Sequence, residues 1–305
     1  EMCIRDRSYS RDADREADRV GLTNLTNAGF DPKGMESFFS KLQQNNRYYE
    51  SASTAYLSTH PLTVERLSDM QNRTRAMAEH KHKDSLDFKL VRARLRVLQE
   101  TRYDGYLTAA NQFRRLLKTA SGEEAAAAHY ALSVALERLG KPSEALEHAR
   151  EAAKSISGHS VYIDKNLAQI AFTQAKTPKE KAAALSLAKK TAESYPYSAM
   201  MATAYADLLL QAGDNAEVPR FLRRQKALGK NNPDYFSLLA RSYEALGQKS
   251  RAYAATGDMY LLLGNLKAAL YQFDNAQKAA DGDFYTMSEI DAKLRSLRTR
   301  LKEPN

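Results

Sequence analysis

The stretch Glu137-Arg138-Leu139-Gly140-Lys141-Pro142-Ser143-Glu144-Ala145-Leu146-Glu147-His148-Ala149-Arg150-Glu151-Ala152 decides how the chain is read. Gly140 is followed by Ala145 after five residues and by Ala152 after seven more; Gly264, Ala269 and Ala276 repeat both intervals, and Gly247 and Ala252 repeat the first. Gly213 stands 34 residues before Gly247 and 73 after Gly140, close to two such periods. Tyr195-Pro196 and Asn232-Pro233 punctuate unit ends. Recurrence at these intervals predicts a helix–turn–helix repeat with a period of about 34. In such a unit Gly closes the turn, and small residues such as Ala145 and Ala269 sit where two antiparallel helices approach closely. Tyr130, Leu136, Tyr243, Leu246, Tyr260 and Leu263 are expected to fill the gaps. One hairpin buries its second face only by stacking on the next, which makes a solenoid with a concave surface. A generic alanine-rich bundle is the weaker alternative.

Composition agrees with an all-α chain. Only 13 Gly and 8 Pro occur in 305 residues, too few for a turn-rich β-sandwich. No apolar run approaches the roughly 18 to 20 residues that cross a bilayer. The single cysteine, Cys3, excludes an internal disulfide and a cysteine-based zinc site. The net charge of +9 divides into −1 over residues 1–80 and +10 over 81–305. That asymmetry raises a nucleic-acid reading through Lys89, Arg92, Arg94 and Arg96, and through Lys293, Arg295, Arg298, Arg300 and Lys302. Those cations alternate with leucine on amphipathic helices and no nucleic-acid motif accompanies them, so no nucleic-acid partner is expected.

The first eighty residues read as three helices. Ser10 is the expected cap of the first, with Asp12, Asp14 and Glu16 in its opening turn and Ala17, Val20, Leu22 and Leu25 as its apolar stripe. Gly29 stops it, and Asp31-Pro32 starts the second, with Met35, Phe38, Phe39 and Leu42 facing inward. Residues 43–60 read as a loop, and Pro61 opens a third helix with Leu62, Leu67 and Met70 on one side. The segment Glu79-His80-Lys81-His82-Lys83-Asp84 reads as a solvated junction rather than a metal site. Glu1–Arg7 lacks the apolar core of a signal peptide and continues no pattern, so it is expected to be non-native, with a targeting segment lying upstream.

Ser10-Arg11-Asp12-Ala13-Asp14-Arg15-Glu16-Ala17-Asp18 resembles the second zinc motif of the HtpX-type metallopeptidases, a helix reading S-R-x-x-E-x-x-A-D. The family's third zinc ligand falls at Asp14, where the family has Glu, and its final acid at Asp18. Four residues apart on a helix, one carboxylate can face a metal while the other orients a neighbouring ligand. Gly29-Phe30-Asp31-Pro32 is similar to the stretch downstream of that ligand. Ser58-Thr59-His60-Pro61, with Glu65-Arg66-Leu67 after it, resembles the T-H-P-x-x-x-x-R-[IL] stretch of the periplasmic, BepA-like branch. There the histidine lies near zinc as an extra ligand or gate, which puts His60 in that place.

This resemblance implies residues 1–80 as the C-terminal remnant of a zincin-type peptidase domain and residues 81–305 as a tetratricopeptide-repeat domain. It implies a zinc metalloendopeptidase and chaperone of outer-membrane protein assembly in the periplasm. Its partners would be misfolded or stalled outer-membrane proteins and the β-barrel assembly machinery. A zincin also needs H-E-x-x-H, and none of the six histidines here is followed by Glu. Zinc is therefore expected in the parent protein but not bound tightly by this chain alone, which is predicted inactive. On the repeats, Tyr103, Tyr106, Arg241, Tyr253 and Tyr271 are the candidate protein-binding residues. The alternative is a non-enzymatic tetratricopeptide adaptor.

Overall fold

The computed structural model describes residues 2–46, 64–80, 82–226 and 228–301. Among these residues the regular structure is helical, without strands, and the chain separates into two compact units, residues 1–84 and 85–305. No helix among them is long and apolar enough to cross a membrane.

The first unit holds α1 (Met2–Asn27), α2 (Lys33–Asn46) and α3 (Val64–Thr74). Ser10 does not cap α1: the helix runs on from Met2, because no Gly or Pro stands before Ser10 to interrupt it. Gly29, at φ 78°, ends the segment as expected, and the Asp31 carboxylate accepts the Lys33 N–H at 3.0 Å to open α2. Leu22, Phe39 and Met70 form the buried core, with Met35, Leu42 and Leu67 packed around them. Val20 and Phe38 are exposed, contrary to the expected stripes. A step of two residues turns Val20 about 200° from Leu22, so one face cannot hold both.

The second unit holds α4 (Leu86–Leu98), α5 (Tyr103–Leu116), α6 (Gly122–Arg138), α7 (Pro142–Lys154), α8 (Val161–Gln174), α9 (Pro178–Ser194), α10 (Ala199–Ala212), α11 (Glu217–Arg224), α12 (Pro233–Ala245), α13 (Lys249–Leu262), α14 (Leu266–Ala279) and α15 (Phe284–Arg300). Short turns fold successive helices back on one another as stacked hairpins, the tetratricopeptide-like arrangement. Gly140, Gly213, Gly247 and Gly264 all take positive φ, between 70° and 83°, at these turns. L-residues rarely adopt that backbone, which is why the glycines mark the period. Gly247 and Gly264 close successive turns, half a period apart. The α8–α9 turn uses a Thr177–Glu180 capping box instead of glycine.

Ala145, Ala152, Ala269 and Ala276 are fully buried at the helix contacts, as are Tyr130 and Leu136 nearby. Leu246 and Leu263 are exposed rather than filling gaps. Beneath the hairpins polar links are buried: the Asn166 side-chain N–H donates to Ser133 Oγ at 2.7 Å, joining α8 to α6, and Ser250 Oγ donates to the Ala276 carbonyl at 2.9 Å, joining α13 to α14.

Candidate functional site

On α1, Asp14 and Asp18 lie one turn apart on the same side of the helix. Asp18 is buried, and Arg66 of α3 donates to both of its oxygens, Nε to Oδ2 and Nη2 to Oδ1, each at 2.7 Å. This forked pairing is the strongest geometry available to guanidinium and carboxylate. The guanidinium also stands 5.0 Å above the Phe39 ring. The hydrogen bond to Asp18 raises the Arg66 pKa; burial opposes it, and the charges of Asp18 and Asp14 add to it. Beside this pair, in solvent, Arg15 donates to Glu65 at 2.6 Å and to Asp12 at 3.0 Å. Two consecutive residues of α3, Glu65 and Arg66, thus strap it to α1. The S-R-x-x-D-x-x-A-D helix and the arginine downstream of Thr59-His60-Pro61 meet in one place.

Asp14 is half-buried beside this strap, with its charge felt at Arg66. Asp18 directs both oxygens at Arg66, so the group it orients is a guanidinium. His60 lies outside the described residues. Among the described residues no three His, Cys, Asp or Glu side chains gather to hold a metal. His80 is exposed, and the His82 ring rests 4.5 Å from Phe30.

In the second unit the five candidate contact residues are dispersed over α5, α12, α13 and α14. Tyr103 and Tyr271 are well exposed and Tyr253 less so; Tyr106 packs against the core, and Arg241 is paired with Asp207 at 2.5 Å. None of them lines the 260 Å³ groove formed by α11, α12, α13 and α15. Tyr235, Phe236 and Tyr243 give that groove an aromatic wall, and Arg223, Lys230 and Arg251 give it cations. Deeper in, Lys293 donates to both oxygens of Asp258 at 2.8 Å, and burial raises the Asp258 pKa against that contact. The groove escaped sequence reading because its residues come from four helices.

Several cations of the basic helices have partners on neighbouring helices. Lys89 pairs with Glu123 at 2.7 Å, Arg94 donates to the Tyr130 hydroxyl at 3.2 Å, and Arg298 pairs with Asp274 at 2.7 Å. On α8, burial and then the Arg94 charge lower the Lys165 pKa to about 8.

Comparison with known proteins follows these two units. The family model described as "Peptidase family M48" matches residues 3–74. The "Beta-barrel assembly-enhancing protease" of Escherichia coli (strain K12) is 28% identical over 295 residues, 95% of this chain and 58% of that protein. The protein of the same name from Yersinia pestis is 27% identical over 296 residues, 97% of this chain and 59% of its own length. The chain therefore spans less than two thirds of the curated relatives it matches. Among solved structures, a tetratricopeptide repeat protein from Parabacteroides merdae aligns with 84% of this chain and 98% of its own, at 11% identity and a TM-score of 0.42. The strapped helices α1–α3 carry an M48-type pattern, and the chain along nearly its whole length is similar to the β-barrel assembly-enhancing proteases.

Proposed function

We propose that this polypeptide is part of a periplasmic zinc metalloendopeptidase and chaperone that acts in outer-membrane protein assembly and quality control. Residues 1–80 belong to the peptidase domain, with Asp14 in the third-ligand position and His60 as an extra ligand or gate. Residues 81–305 bind misfolded or stalled outer-membrane proteins and the β-barrel assembly machinery, with Tyr103, Tyr106, Arg241, Tyr253 and Tyr271 as candidate contacts. Zinc, held in the parent protein, would activate water for peptide-bond hydrolysis. What supports the reading most is the Asp18–Arg66 clamp, which joins the first and last of the three ordered peptidase motifs. Its role here is to fix the helix that carries Asp14.

The chain itself has no H-E-x-x-H, so on its own it should neither cleave casein nor retain stoichiometric zinc. Assay of the purified chain with and without chelator, with zinc measured by mass spectrometry, tests this; chelator-sensitive cleavage would sink it. The alternative reading is a purely protein-binding tetratricopeptide adaptor. An H-E-x-x-H helix in the coding sequence of the intact protein would decide for the peptidase.

A further inference from the structure

His129 on α6 and His148 on α7 bring their Nδ1 atoms within 2.9 Å, with ring centroids 5.1 Å apart and the planes stacked. Both rings are half-buried inside one hairpin. Two N–H groups cannot meet at that distance, so the gap holds one proton or another cation. Burial lowers both pKa values, aided at His129 by His148 and at His148 by Arg114; Glu151 opposes this at both rings, and Glu144 and Glu147 do so at His148. Burial therefore favours the neutral form of both rings. Neutral rings can carry their protons on Nε2, leaving two Nδ1 lone pairs aimed at one point.

The helix α7 adds acid along the same stripe. Glu144, His148 and Glu151 fall at i, i+4 and i+7, one face of the helix. Arg114 of α5 donates to Glu144 at 3.2 Å. Glu151 is exposed and pairs with Lys154, one turn from His148, in a contact that solvent screens.

We propose that His129 and His148 form a two-imidazole site for a divalent transition metal of the zinc and copper class, with water completing the shell. Imidazole nitrogen suits these ions, and magnesium and calcium require oxygen ligands instead. Tetrahedral zinc with bonds of about 2.0–2.1 Å needs the two nitrogens about 3.3 Å apart, so the hairpin opens by only about 0.4 Å. The bound ion would pin α6 to α7 in place of the shared proton. This site lies in the repeats and is independent of the peptidase reading.

The test is titration of the intact chain with Zn2+ and with Cu2+ at pH 7.5, with Mg2+ as control. The melting temperature is followed, and histidine ring nitrogens are followed by NMR in the Zn2+ arm. The melting temperature should rise with Zn2+ and Cu2+ but not with Mg2+, and the Nδ1 signals of His129 and His148 should move together under Zn2+. Both effects should vanish in His129→Gln and His148→Gln, and disappear at pH 5, where imidazole is protonated. Circular dichroism checks that the variants fold. Unmoved Nδ1 signals of the wild-type pair at saturating Zn2+ overturn the site, whatever the variants do. So does metal stabilisation that survives His148→Gln.

Discussion

Asp18 and Arg66 are 48 residues apart in the chain yet form a buried two-point ion pair. Both side chains are largely buried, at 8% and 18% exposed. Removing one member of such a pair strands the other charge, which costs about 3–5 kcal/mol. Asp18→Asn is therefore expected to loosen α1 from α3, read as a loss of amide-exchange protection in both helices. Replacing both residues, Asp18→Leu with Arg66→Met, should restore most of the protection; a double variant as damaged as the single one would refute this account. Lys165 offers a second test. Its folded pKa, about 8, lies below the value of about 10.4 in an unfolded chain. Between those values the unfolded chain binds more protons, so stability rises with pH through that window. Below about pH 8 the full penalty of burying the charge is present. Lys165→Met should raise the melting temperature at pH 7, and the gain should fade above pH 10; a gain of equal size at both pH values would contradict the burial argument.

At the scale of helices, close approach governs the packing. A Cβ placed on Gly257 in α13 would lie 2.8 Å from ring carbons of Phe273 in α14. Since Phe273 is fully buried, it cannot swing away. Gly257→Ala should destabilise the second unit by about 1–3 kcal/mol through overpacking, measured by denaturant unfolding. Phe273→Leu added to it should return part of the loss. At Gly213 no atom lies within 4 Å, and only the backbone at φ 83° objects to a side chain. There alanine should cost about 1–2 kcal/mol, and no neighbouring substitution should rescue it. The turn glycines are legible in the sequence because their demand is local. Leu246 and Leu263 are not: adjacent to those glycines in sequence, they face solvent, whereas Leu139, adjacent to Gly140, is buried.

For the whole molecule, the distribution of core matters most. Three apolar clusters lie entirely within residues 85–305, and a fourth, built on Leu22, Phe39 and Met70, lies within the first unit. A polypeptide of residues 85–305 should therefore keep its helical circular dichroism and melt cooperatively by itself. A non-cooperative melt would mean that the repeats depend on residues 1–84.

Residue order by itself determined the all-α class, the repeat period, the glycine turns and the three peptidase-like motifs. Each of these depends on spacing within one or two helical turns or on an internal recurrence. It also placed Asp14 and Asp18 on one face, since four residues make about one turn. Only tertiary structure decided that Asp18 grips Arg66, that His129 meets His148 across a hairpin, and that a cationic groove with an aromatic wall opens among α11, α12, α13 and α15. Those outcomes depend on which helix faces pack together, a choice made by burial summed over the whole chain rather than by any local interval.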